Sequence, residues 1–198
     1  MTIFPEVQEP PVAATLRAAA NADGFGLSCE PITGVLLRFL AASKPGGNLL
    51  ELGTGYGVST AWLAEGMTEG ARLRTVDVNG NQTAVARKHL QQIDGIDFVV
   101  ADAVGWMQTY EGPLFDLIFA DSHFGKFDNR EDALKLVAPG GIYLVDDLLP
   151  QEHWPDPPKH QEKVNALVAD LCTREEYTSL SLDWGTGYQI LVRSAAHF

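Results

Sequence analysis

Leu50-Glu51-Leu52-Gly53-Thr54-Gly55-Tyr56-Gly57 joins an apolar run, Asn48–Leu52, to a segment of helical period, Val58–Gly66. A short apolar run of this kind suits a strand buried on both faces. The glycines permit a tight turn and let the backbone come close to a ligand. The helix start behind them presents free N–H groups that favour a carboxylate or phosphate. Strand, glycine loop and helix in that order predict a ligand site at the carboxyl edge of an open α/β sheet, where strand order reverses.

The pattern continues outward from the loop. Further strand candidates are Arg72–Val78, Ile96–Ala101, Phe115–Ala120, Ile142–Asp146, Tyr177–Asp183 and Tyr188–Arg193. Helical segments lie between them: Asn81–Ile93 capped by Asn81, Ala103–Tyr110, Asn129–Leu136, and Lys159–Cys172 with Val164, Leu167, Val168 and Leu171 on one face. Pro139-Gly140-Gly141 reads as a turn into the fifth strand. Strands alternating with helices imply right-handed crossovers and a mostly parallel sheet. Only Trp184-Gly185-Thr186-Gly187 separates the last two strands, too few residues for a parallel crossover, so they form an antiparallel hairpin. The expected architecture is one α/β domain over residues 1–198, with seven strands and helices on both faces. Residues 1–45 form a helical lead-in to the core at 46–198, with Ala13–Ala20 and Ile32–Leu40 helical, Val35, Leu36 and Phe39 facing inward, and the segment reaching over the site.

The 198 residues carry a net charge of −12, with Lys and Arg scattered, which disfavours nucleic acid and anionic membranes as partners. Cys29 and Cys172 are far apart in sequence and read as reduced, mostly buried thiols. Met1–Glu6 lacks the basic and apolar regions of a signal peptide, and no apolar run is long enough for a bilayer span, so a cytoplasmic protein is expected.

Two details distinguish the glycine loop from a dinucleotide fingerprint. The third glycine comes one residue early, giving G-x-G-x-G, and Glu51 precedes the first glycine by two residues. A carboxylate there repels a pyrophosphate but attracts the sulfonium and amino groups of S-adenosylmethionine. With Asp77 ending the second strand and Asp102 ending the third, the chain resembles a class I S-adenosylmethionine-dependent methyltransferase with a Rossmann-like sheet. The resemblance implies a cofactor site built from Glu51, Gly53, Thr54, Gly55, Gly57, Ser59, Asp77, Val78, Asp102, Ala103 and Asp121. Asp77 would bind the ribose hydroxyls and Asp102 the adenine amino group, while Ser59 would meet the methionine carboxylate. From the residues alone, Asp102 and Ser59 read equally as helix N-terminal groups.

Phe115–Asp121 and Leu136–Asp147 are similar to the catechol and caffeoyl-coenzyme A O-methyltransferase group. That group holds a divalent cation on an Asp after the fourth strand and an Asp-Asn pair after the fifth. The resemblance therefore implies Mg²⁺ or Ca²⁺ on Asp121, Asp146 and Asp147, and a homodimer. Asp147 stands where the group has Asn. The stretch after Asp121 also departs, because the basic residue is displaced to Lys126. Lys126 and His123 are the candidate general bases, and His153 and Trp154 in the proline-rich loop are expected to wall the substrate site. The expected reaction is methyl transfer to a hydroxyl of a small-molecule acceptor. The alternatives are a metal-independent N-methyltransferase, a nicotinamide-dependent oxidoreductase, or a cofactor-binding protein without catalysis.

Overall fold

A computed structural model describes residues 7–151, 154 and 156–195. The chain opens with helices α1 (Pro11–Ala22) and α2 (Pro31–Ala42). It then alternates β1 (Asn48–Leu52), α3 (Val58–Gly66), β2 (Arg72–Asp77), α4 (Gly80–Leu90), β3 (Ile96–Val100), α5 (Ala103–Thr109) and β4 (Phe115–Ala120). A helical turn α6 (His123–Lys126), helix α7 (Arg130–Lys135), β5 (Val137–Val145), α8 (Pro157–Cys172), β6 (Tyr177–Leu182) and β7 (Tyr188–Arg193) complete it.

The seven strands form one sheet in the order β3-β2-β1-β4-β5-β7-β6. Only β7 runs antiparallel, to both β5 and β6, and the short connection at 183–187 requires the second of these pairings. Strand order reverses between β1 and β4, which pair in parallel with Leu52 opposite Ala120, so the loops after these two strands meet.

Each face of the sheet carries its own core. Leu50, Leu52, Ile118, Tyr143 and Val145 pack with α8 residues Val164, Leu167 and Leu171 on one side. On the other, Leu49, Leu73, Leu117 and Leu144 pack with Leu37, Trp62 and Leu63 from α2 and α3. Successive side chains of a strand point to opposite faces, so in β1 the side chain of Glu51 is sent to the α3 face alongside Leu49.

Several boundaries differ from the expectation. Asn79, not Asn81, caps α4 through bonds from the backbone N–H groups of Asn81 and Gln82, because Gly80 already joins the helix. Thr83, Ala86 and Leu90 form its buried face, while Ala84 is exposed. Pro139-Gly140-Gly141 lies within β5, as an irregularity where the β4 register jumps between Phe115↔Val137 and Leu117↔Ile142. Phe39 is 68% exposed, not inward. At 100° per residue it lies opposite the arc of Leu37, Leu40 and Ala41 that packs into the core. Cys172 is exposed and Cys29 buried, both free thiols, so only one of the two is in the interior.

Helices α2 and α3 approach closely because Gly34 faces the Trp62 ring, where a Cβ would come within 2.2 Å of the indole. Gly34→Ala should therefore lower stability by about 1–3 kcal/mol through overpacking, read as a lower midpoint in urea denaturation with an unchanged slope.

Candidate functional site

The loop after β1 is shaped by its neighbours. Gly53 has φ +109 and lies against the backbone of Asp121, where a Cβ would sit 2.9 Å from the carbonyl oxygen. Gly57 has φ +85, and a Cβ would sit 2.6 Å from the Ala86 Cβ of α4. Larger residues at either place would push apart the loop and the elements beside it. Asp77, at the end of β2, accepts from the backbone N–H of Gly55 at 2.8 Å and of Asn79 at 2.7 Å.

A cavity of about 280 Å³ opens over this loop. Of the residues expected at the cofactor, Gly53, Thr54, Gly55, Ser59, Asp77 and Asp121 line it, and His123 lies on its wall. Glu51, Gly57, Val78, Asp102 and Ala103 do not. Gly57 packs on α4 instead, and Asp102 caps α5 by accepting from the Gly105 N–H at 2.8 Å. Val78 is exposed just beyond Asp77.

The roof of the cavity comes from the segment between α1 and α2, through Phe25, Leu27, Ser28 and Cys29. None of these was identified as a site residue from sequence, Cys29 being read only as a reduced thiol. The signal available was Gly24-Phe25-Gly26-Leu27, a turn that places two large apolar side chains where no core periodicity calls for them. Phe25 packs on Tyr56 with ring centroids 5.2 Å apart, and the Tyr56 hydroxyl donates to Asp23 at 2.6 Å. Arg17 is held by Glu9 at 2.7 Å and donates to the Cys29 carbonyl at 2.8 Å, which fixes the segment's far end.

Beneath the loop, Glu51 is completely buried. Its Oε2 accepts from Thr60 of α3 at 2.5 Å and from Thr75 of β2, its register partner, at 2.6 Å. The single hydroxyl proton of Thr75 is thereby used, so Thr54 donates to Thr75, at 2.6 Å. Glu51 thus reaches the cavity wall through Thr75 and Thr54. Its Oε1 is buried without a partner among the described residues. Burial pushes the Glu51 carboxyl up to about 7, against the opposing hydrogen bonds from Ser59, Thr60 and Thr75.

A second cavity, of about 180 Å³, adjoins the first; Leu27, Ser28, Cys29 and Asp121 line both. Asp146 and Asp147 line only the second, together with Glu30, Thr33, Gln151 and Thr186. Asp121, Asp146 and Asp147 each bring an oxygen within 4.8 Å of the others. Asp147 has φ +52, a left-handed conformation that Asp and Asn tolerate better than most residues. Its N–H donates to Thr186 Oγ1 at 3.4 Å. Asp146 is 2% exposed, and its Oδ1 accepts no hydrogen bond from the described residues, with Lys126 Nζ 3.6 Å away as counter-charge. Burial pushes Asp146 up to about 7, with Asp147 adding to the rise and Lys126 opposing it. Burial and the charge of Asp146 together raise Asp121 well above the usual carboxylate range.

Lys126 is buried and lines neither cavity. The strand-side loop that carries it is anchored by the Tyr143 hydroxyl, which donates to the Gly125 carbonyl. His123 is half exposed and pairs with Asp128 at 2.9 Å. Trp154 is buried in the α8-side core with its ring 4.1 Å from that of His160, so the expected substrate wall is not formed by its indole. His153 lies outside the described residues.

The family described as "Methyltransferase domain" matches residues 50–148, from the end of β1 through the acidic pair after β5. The chain belongs to the class I S-adenosylmethionine-dependent methyltransferase family. This methyltransferase is 31% identical over 147 residues to a catechol O-methyltransferase of Mycobacterium tuberculosis, covering 71% of this chain and 66% of that one. It is 28% identical over 151 residues to a catechol O-methyltransferase of Niastella koreensis, covering 72% and 67%. The chain thus spans about two thirds of the length of these two curated relatives. Its fold matches that of the O-methyltransferase TomG from Streptomyces achromogenes, solved with SAM, at 24% identity and a TM-score of 0.80 over 96% of this chain and 92% of that one. It also matches an O-methyltransferase from Bacillus cereus, solved with SAH, at 21% identity and a TM-score of 0.78, covering 98% and 94%. No helix among the described residues is long and apolar enough to cross a membrane.

The raised Glu51 carboxyl has a thermodynamic signature. In the folded methyltransferase it keeps a proton that the unfolded chain releases, so its contribution to stability is full below the ordinary value of 4.5 and is lost as pH rises to about 7. Urea denaturation at pH 5 and pH 7.5 should show a smaller loss of stability for Glu51→Gln than for the wild type.

Proposed function

We propose that this methyltransferase moves the methyl group of S-adenosylmethionine to one hydroxyl of a vicinal pair on a small-molecule acceptor, with a divalent cation held by Asp121, Asp146 and Asp147. The observation that carries this reading is the carboxylate trio in a cavity that shares a wall with the cofactor cavity. The donor set fits such a cation. Its ligands are hard oxygens, one of them is a buried carboxylate oxygen without a hydrogen-bond donor among the described residues, and the burial and neighbouring carboxylates that raise Asp121 and Asp146 are offset by positive charge.

A bound Mg²⁺ supplies Lewis acidity that lowers the pKa of a coordinated hydroxyl and helps to orient it. The remaining work falls to this chain's side chains. Asp77 would accept from the ribose hydroxyls, and Ser59 with the α3 N-terminus would receive the methionine carboxylate. Phe25 and Leu27, which line the cavity, would cover the reacting groups and reduce their contact with water. Lys126 holds Asp146 in place and offsets its charge, a positioning role that its contact supports better than the expected role of general base. The C–O bond would form as the S–C bond breaks, with the S–C electron pair staying on sulfur as the neutral thioether and the hydroxyl proton passing to solvent water.

The test is steady-state methylation of 4-methylcatechol with S-adenosylmethionine. Turnover should require Mg²⁺, vanish with a chelator, and fall at least about 100-fold in kcat/KM for Asp146→Asn. Turnover indifferent to chelator would overturn the cation and favour metal-independent transfer. Calorimetric binding of NADH without binding of S-adenosylmethionine would overturn the methyltransferase reading itself.

A further inference from the structure

The smaller cavity is lined by four acidic residues, Glu30, Asp121, Asp146 and Asp147, and among the described residues no Lys or Arg lines it. On the reading above, which this inference extends, the trio's charge is matched: a divalent cation and the ammonium of Lys126 together balance Asp121, Asp146 and Asp147. Glu30 is the carboxylate left over. It stands at the N-cap of α2 without capping it, and its side chain makes no hydrogen bond or ion pair with any described residue. It lines the cavity with a carboxylate that no described residue engages.

The cavity has an inner and an outer end. Thr33 and Asp146 are buried, whereas Leu27 and Glu30 are exposed. An acceptor whose hydroxyls reach Asp146 and Asp147 directs its remaining substituent outward, past Glu30. The volume of about 180 Å³ accommodates one ring, since a cavity of about 150 Å³ takes up benzene. An extra negative charge at the mouth attracts a cationic substituent and repels an anionic one, with a strength set by partial exposure to solvent.

We propose that Glu30 is a specificity-determining residue, which selects single-ring vicinal diols bearing a cationic substituent over those bearing a carboxylate. Selection acts through charge rather than shape, so it weakens as salt screens the mouth.

The experiment compares kcat/KM for three acceptors of one scaffold with Mg²⁺ and S-adenosylmethionine: dopamine as the cation, 3,4-dihydroxyphenylacetate as the anion and 4-methylcatechol as the neutral reference. The wild type should favour dopamine over the carboxylate by about tenfold or more at low salt, and less at 0.5 M NaCl. Glu30→Gln should bring that ratio down by about fivefold or more, and Glu30→Lys should invert it. Because Glu30 makes no capping bond, both variants should fold, checked by thermal denaturation. A ratio near one in the wild type, or a ratio unmoved by both substitutions, overturns the role of Glu30 while 4-methylcatechol turnover still upholds the underlying reaction. Failure of the wild type to methylate any of the three overturns both.

Discussion

The carboxyl edge of this protein depends on a buried acid at the centre of the sheet. β1 is covered on both faces, and one of its side chains is a carboxylate that must be satisfied without water. Glu51 does so at Oε2 by drawing on two elements at once, Thr75 in the neighbouring strand and Thr60 in the helix above, while Oε1 finds no partner among the described residues. The penalty of an unsatisfied buried acid makes these contacts mutually binding. They tie the start of α3 to β2 and, through Thr54, to the glycine loop between them. The loop's shape therefore comes from below as much as from its glycines.

The second half of the site is also organised by charge. Asp121 and the Asp146–Asp147 pair come from strands that are neighbours in the sheet, so their carboxylates converge despite being far apart along the chain. Lys126 is drawn into the interior to offset Asp146. The result is an acidic cavity next to the cavity over the glycine loop, roofed in common by the segment that links α1 to α2. That roof is held by contacts to the core rather than by regular structure: Phe25 on Tyr56 and Arg17 on the Cys29 carbonyl.

Much of this was legible in the sequence. The alternation of apolar runs with helical periods contains the sheet, and the short Trp184–Gly187 connection dictates the antiparallel hairpin, because chain length forbids the other solution. The order strand, glycine loop, helix places a cavity over that loop, since backbone conformation at the glycines is a local property. Acids at the ends of β2, β4 and β5 are legible for the same reason: a strand end is a fixed place in an open sheet.

What the sequence could not contain is what distant segments do to one another. Glu51 read as a ligand-facing acid, yet its direction is set by the alternation of β1 and its partners by β2 and α3, so it lies under the loop. Trp154 read as a substrate wall, but burial against α8 and His160 takes it into the core. Phe39 read as inward, and the packing of α2 on α3 turned it to solvent. Glu30 carried no signal at all, being an unremarked acid before a helix; only the return of the lead-in segment over the sheet brings it to the mouth of the acidic cavity. Local conformation follows from residue type and spacing, whereas the partners of a charge or a ring follow from which surfaces the folded chain brings together.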